Sequence, residues 1–222
     1  MDIERVWPLF GLSLRSPRLE LRPVRDDDLP ALVDAAVAGV HDPERSPFGV
    51  PWTDAPPAEL AHSFAAYHWG LRAGSSPEKW ALAFTILHNG EPVGVQQLDA
   101  TEFARDRTVD SGSWLTRRMQ GRGLGTEMRA AILLFAFDHL GARTARSSAM
   151  VWNTPSLAVS RRLGYVDDGL TRIEPRPGEP VDEQRLRLER DAFVRPEWTL
   201  DVRYPEGILR DLGAAPTTTD PA

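Results

Sequence analysis

The stretch Gln120-Gly121-Arg122-Gly123-Leu124-Gly125-Thr126 constrains the fold more than any other part of the chain. Before it, residues 108–115 (TVDSGSWL) alternate and carry Val, Trp and Leu, the pattern of a strand. After it, residues 124–140 repeat apolar side chains at helical spacing. A strand that turns through three alternate glycines into a helix lets the backbone pass close to a ligand, because no Cβ stands in the way. It also aims several unpaired N–H groups, and the positive end of the helix dipole, at whatever binds there. The turn reads as an anion site, phosphate being the usual anion. Its spacing is not that of a P-loop, since no Lys follows, nor the G-x-G-x-x-G of dinucleotide-binding turns. Without a ligand, the same glycines make a tight turn that packs a helix on a sheet.

The rest of the chain supplies the sheet and the other helices. Residues 18–23 alternate as a first strand, and Asp26-Asp27-Asp28 offer a cap and an acidic first turn to an apolar run at 29–40. Residues 41–57 are rich in Pro and aromatic residues and read as a loop. A helix over 58–73 carries Leu60, Phe64, Tyr67 and Leu71. Residues 80–87 and 93–98 form strands joined by an Asn89-Gly90 turn. The 124–140 helix is apolar on both sides and ends at Gly141, so it is predicted to be buried. A strand at 143–152 leads to a short helix capped by Asn153 and ending at Gly164. Residues 171–183 read as an exposed loop and 184–190 as a strand. The order β-α-α-β-β-β-α-β-α-β-β predicts a mixed α/β or α+β domain around one sheet. A single domain over 1–212 is expected, with 213–222 a disordered tail.

Composition excludes several classes. The formal net charge of −6 argues against an extended nucleic-acid footprint. No cysteine is present, which removes disulfides, thiolate metal sites and a cysteine nucleophile together. The five His show no ligand spacing, so no metal is expected. The longest uninterrupted apolar run, 130–137, is too short to span a bilayer, and the first residues have no apolar h-region. A cytoplasmic protein without membrane attachment is the expectation.

Three residue groups in order resemble the GNAT superfamily of acyl-CoA-dependent N-acyltransferases. They are the glycine turn Gln120–Gly125; Asn153 with Ser156 one turn on; and Arg162-Leu163-Gly164-Tyr165 stepping into the next strand. The likeness covers about 18–193. LRPVRDDDLPAL near the start and GSWLTRRMQGRGLGTEMRAA resemble the Rim-type branch, whose best-known members acetylate N-termini of ribosomal proteins. The resemblance implies a single-domain α/β (α+β) fold, with a mostly antiparallel central sheet and helices on both faces.

It also implies a site. Backbone amides of Gln120, Gly121, Arg122, Gly123, Leu124, Gly125 and Thr126 would hold the CoA pyrophosphate. Main-chain groups around Trp114, Leu115 and Thr116 would bind pantetheine, one N–H stabilising the oxyanion. Arg117, Arg118 and Arg122 are candidates for adenosine or pyrophosphate oxygens; Arg117 and Arg118 read equally well as a solvated pair. Asn153 would contact the pantetheine arm, or simply cap its helix. Many members place a Tyr seven residues after this Asn as the acid, where Ser160 stands here; Rim-type members instead use a Ser three residues after the Asn, and that resemblance makes Ser156 the candidate general acid. Asp110 is the candidate base, with Asp99 and Glu102 as rivals. Phe48 and Trp52 in the Pro-rich loop, with Glu102, are expected at the acceptor. The implied reaction moves an acyl group, acetyl by default and succinyl as an alternative, from CoA to a protein N-terminus, a lysine or a small amine by direct transfer. A homodimer or larger oligomer is expected. The competing readings are an acyl-CoA-binding module without turnover and a nucleotide-binding protein.

Overall fold

The chain enters through a short helix α1 (Ile3–Val6) and a 3-10 turn at Pro8–Gly11, then forms β1 (Ser13–Arg15) and β2 (Leu19–Pro23). The alternation at 18–23 does what a half-buried strand requires: Leu19, Leu21 and Pro23 are buried while Glu20 and Arg22 are less so. Helices α2 (Leu29–Val37) and α3 (Pro57–Ala73) follow, with the long loop between them. Strands β3 (Lys79–His88) and β4 (Glu91–Thr101) form a hairpin, and α4 (Phe103–Asp106) is a single turn before β5 (Thr108–Leu115). Next come α5 (Leu124–Leu134), β6 (Thr144–Met150), α6 (Thr154–Arg162), the hairpin β7 (Val166–Arg176) and β8 (Glu179–Glu189), β9 (Asp201–Arg203) and α7 (Ile208–Asp211). The computed structural model describes residues 1–214, and the tail expected from 213 lies outside them from 215 on. Gly213 and Ala214 are packed rather than free, Ala214 N–H donating to the Leu209 carbonyl at 2.6 Å.

The nine strands form one sheet in the order β7-β8-β6-β5-β4-β3-β2-β1-β9. Every neighbouring pair is antiparallel except β5 and β6, which run parallel and pair only through Thr108–Thr144, Val109–Ala145 and Asp110–Arg146. Beyond those three pairs the strands part. The sheet carries helices on both faces, as expected. On one face α5 packs into the main core, where Leu98 and Leu115 meet Leu124, Met128 and Ile132. On the other, α2 and α3 cover Val95 and Trp114 with Leu32, Leu60 and Phe64.

Three local outcomes differ from expectation. Residues 171–183 are not a loop but the joined ends of β7 and β8; Pro175 and Pro180 sit beside a turn at Gly178, where a missing donor costs little pairing. The 124–140 helix ends its α-helical part at Leu134 and continues as a wider π turn over Phe135–His139. Asp28 does more than neutralise a helix end. Its buried carboxylate accepts from both Arg22 guanidinium nitrogens (2.8 and 2.7 Å), the Arg25 N–H (2.9 Å) and the Thr85 hydroxyl (2.8 Å), locking α2 to β2 and β3.

Candidate active site

The glycine turn is built as an open donor row. Gly121 (φ 72°) and Gly123 (φ 79°) both take the left-handed conformation that glycine adopts without strain, and Gly123 caps α5. Among the described residues, no acceptor takes the N–H groups of Gly121, Arg122, Gly123, Leu124, Gly125 or Thr126. Unpaired amides at the start of an 11-residue helix suit an anion. The row is held from behind. Buried Glu127 accepts from the Arg18 N–H (2.8 Å), Arg18 Nε (2.6 Å) and the Ser16 hydroxyl (2.8 Å), and Arg18 also donates to the Arg122 carbonyl at 3.0 Å. Gln120 does not join the row: its N–H donates to Arg117 O (3.1 Å), and its side-chain amide bridges the carbonyls of Val40 (2.7 Å) and Leu115 (2.8 Å). It is a strut fixing the turn to the strand end. Arg118 pairs with Glu91.

The parting of β5 from β6 exposes one edge of β5. Alternate residues of a strand turn their N–H and C=O groups to opposite sides. Thr116 N–H bonds Val93 O on the β4 side at 2.9 Å, whereas Ser111 O accepts from the Ser147 hydroxyl on the β6 side at 2.9 Å. Ser113 and Leu115 therefore present their N–H groups to the gap, and the expected Trp114 and Thr116 do not. Trp114 instead points its ring into the α3 face, 5.7 Å from Trp52 and 6.2 Å from Phe64 by centroid.

That face holds a cavity of about 960 Å³. Phe48 and Trp52, both expected at the acceptor, line it with Phe64, Tyr67 and Trp114. Glu102 does not; it is exposed at the head of α4. Asp110 lines the cavity, but Arg146 grips both its oxygens (3.2 and 2.8 Å), which leaves it poorly placed to accept a proton. Asp99 lies beside it in the β4–β5 register. Burial pushes the Asp99 carboxyl up and the Asp110 charge adds to this, while Gln97 and Arg146 oppose it. A chain leads from it: Tyr67 donates to Gln97 Oε1 at 2.6 Å, and Gln97 donates to Asp99 at 3.1 Å. His68 at the back is depressed to about 4 by burial and by the Arg72 charge, so it is neutral at pH 7. Four carboxylates (Asp99, Asp110, Asp168, Glu183) and two guanidinium groups (Arg146, Arg185) line the cavity, leaving it net negative. Sequence reasoning missed Gln97 and Arg146 here, and favoured a core position for Tyr67. Register would have found Arg146, the partner of Asp110 on the adjoining strand, and strand alternation would have found Gln97, two residues before Asp99 on the same strand.

Asn153 caps α6, accepting from Ser156 N–H at 3.3 Å. Neither residue lines the cavity. Helix α6 runs beside the start of α5, where a side chain at Gly125 would meet Val159 at 3.9 Å. Ser156, three residues earlier, lies on the same side of that helix. Ser160 is fully buried and its hydroxyl has no partner, so it faces the core rather than a substrate. Among the described residues no group of three or more His, Asp or Glu is arranged to hold a metal ion, and no helix is long and apolar enough to cross a membrane.

A family model described as the acetyltransferase (GNAT) domain matches residues 18–166. YdaF of Bacillus subtilis (strain 168), whose name proposes a ribosomal N-acetyltransferase, is 26% identical over 113 residues; the match takes in 51% of this chain and 59% of that protein. Among solved structures, Mycobacterium smegmatis RimJ in complex with a CoA disulfide superposes with a TM-score of 0.67 at 25% identity, over 83% of this chain and 89% of that one. A RimL structure in complex with coenzyme A gives a TM-score of 0.59 at 21% identity, over 80% and 97% of the two chains.

Proposed function

The chain belongs to the GNAT acetyltransferase family, with Rim-type relatives, and on that premise we propose that it moves the acyl group of an acyl-CoA, acetyl by default, directly to a primary amine. One observation carries the reading: the unpaired amides of Gly121–Thr126 follow the open β5 edge at Ser113 and Leu115 along the chain, and Ser113 also lines the net-negative aromatic cavity. A pyrophosphate fits the first, a pantetheine arm the second and a cationic amine the third.

The acyl-CoA supplies an activated thioester carbonyl: the amine nitrogen bonds to that carbon, the C–S bond breaks and a thiolate leaves. The chain supplies position and charge. The amides from Gly121 to Thr126 hold the phosphates, and the Ser113 N–H faces the developing oxyanion. Asp99, its carboxyl raised by burial and linked to Tyr67 through Gln97, takes the amine proton, with Asp110 fixed by Arg146 as its charged neighbour. Ser156 at the α6 start returns a proton to the thiolate. With no cysteine in the chain, an acyl-cysteine route is closed, and both substrates are bound together. The acceptor we favour is the N-terminal amine of a protein, in keeping with the RimL relative's name as an alpha-N-protein acetyltransferase.

A thermal-shift panel tests this first. CoA and acetyl-CoA at 100 times their dissociation constants should stabilise by about 2.7 kcal/mol, with ATP and NAD inert. Stabilisation by ATP or NAD in preference to CoA would sink the reading. Turnover of acetyl-CoA with a panel of amine-terminated peptides should then give intersecting initial-velocity lines; parallel lines would exclude direct transfer.

A further inference from the structure

Helix α5 buries two charged side chains: Glu127, which pairs with Arg18, and Arg129. Arg129 is 4% exposed, one turn beyond Gly125, and among the described residues it meets no carboxylate. Nη1 donates to the Ser147 hydroxyl (3.0 Å), Nη2 to the Ser113 hydroxyl (3.3 Å), and Nε is buried with no partner. Holding a cation this deep with two neutral hydroxyls and an idle donor is costly, and an apolar side chain would serve packing better. The guanidinium bridges the place where β5 and β6 part, because Ser113 belongs to one strand and Ser147 to the other. Both serines line the cavity. The carboxylates lie across the sheet: Ser113 turns to α5, whereas Asp110 and Trp114 turn to the α3 face.

This inference rests on the acyltransferase reading above. A thioester oxygen at the Ser113 N–H sends its acyl chain into the gap that Arg129 closes. We propose that Arg129 is the end of the acyl pocket and selects a donor whose short acyl chain terminates in a carboxylate, as in succinyl-CoA. The carboxylate would take the idle Nε and an Nη in a two-point pair.

Calorimetry with the full chain tests this without knowledge of the acceptor, using CoA, butyryl-CoA and succinyl-CoA; butyryl matches succinyl in chain length but lacks the charge. The wild type should bind succinyl-CoA roughly 10-fold or more tightly than butyryl-CoA. Arg129→Met should erase that ratio and leave CoA affinity within about 3-fold, and Arg129→Lys should retain part of it. Equal affinities in the wild type overturn the proposal, whether or not the variants fold. So does an Arg129→Met variant that weakens all three ligands alike, since Arg129 would then serve CoA itself or the fold. Failure of the wild type to bind any of the three strikes instead at the acyltransferase reading.

Discussion

His68 is 3% exposed against Phe64 and Tyr67, and its imidazole is held at about 4 where an unfolded chain has 6.5. The unfolded state therefore binds a proton more readily, and stability falls as pH drops from 6.5 toward 4. The full shift corresponds to about 3 kcal/mol. Asp99 works the opposite way, because its carboxyl is raised in the fold and accepting a proton there favours the folded state. Unfolding of His68→Phe followed by denaturant between pH 7 and pH 4 should lose the wild type's acid sensitivity; parallel curves would show that His68 is not the cause. Asp99→Asn should lower kcat roughly 100-fold and remove the acidic limb of its pH profile while leaving CoA affinity alone. An unchanged profile would pass the base role to another group. The sequence made the carboxylates visible but not their ranking. Asp110 and Asp99 differ because Arg146, 36 residues from Asp110, grips one and merely neighbours the other, a matter of strand register. Arg129 was illegible for a related reason: a charge in an apolar helix reads as a surface residue until one knows which strands it faces.

The loop between α2 and α3 carries Phe48 and Trp52, and its anchor comes from the far end of the sheet. Arg176, closing β7, donates to both oxygens of Asp54 (2.6 and 2.8 Å) and to the carbonyls of Glu44 (3.1 Å) and Pro43 (3.0 Å). Inside the loop, the His41 ring bonds Thr53 at 2.6 Å and edges against Phe48. The aromatic wall is thus a pinned strap. Arg176→Ala should raise the amine KM several-fold and leave CoA affinity and kcat near wild type. A fall in kcat with KM unmoved would mean that the strap aligns the reaction rather than the acceptor. The loop's aromatic content was plain in the sequence. Its anchor was not, because the prolines at 175 and 180 disguised the hairpin that delivers Arg176 as a loop. The strand–turn–helix at 108–140 was legible throughout, since its signals are local: alternation, then glycines, then helical spacing.

Across the whole molecule, the sheet is thinly joined near its middle. Three parallel pairs join β5 to β6, whereas β3 and β4 share a ladder along nearly their full length. The C-terminal segment compensates by crossing from β8 to the opposite edge. Phe193 packs on Phe137, Arg195 holds Asp138 at 2.8 Å, β9 pairs with β1, and Leu212 O accepts from Trp80 Nε1 at 2.9 Å. This girth lets a central gap stay open without dividing the domain. That the two strands existed was readable; that they part after three pairs was not, because a gap has no composition of its own. The gap also sets an inversion of the usual protection pattern. In amide hydrogen exchange, Ser113 and Leu115, at the centre of a nine-stranded sheet, should trade their protons as fast as residues on an outer strand, while Trp114 between them stays slow. Acetyl-CoA should slow those two amides selectively. Slow exchange at both in the free protein would show that the strands close on each other when no ligand separates them.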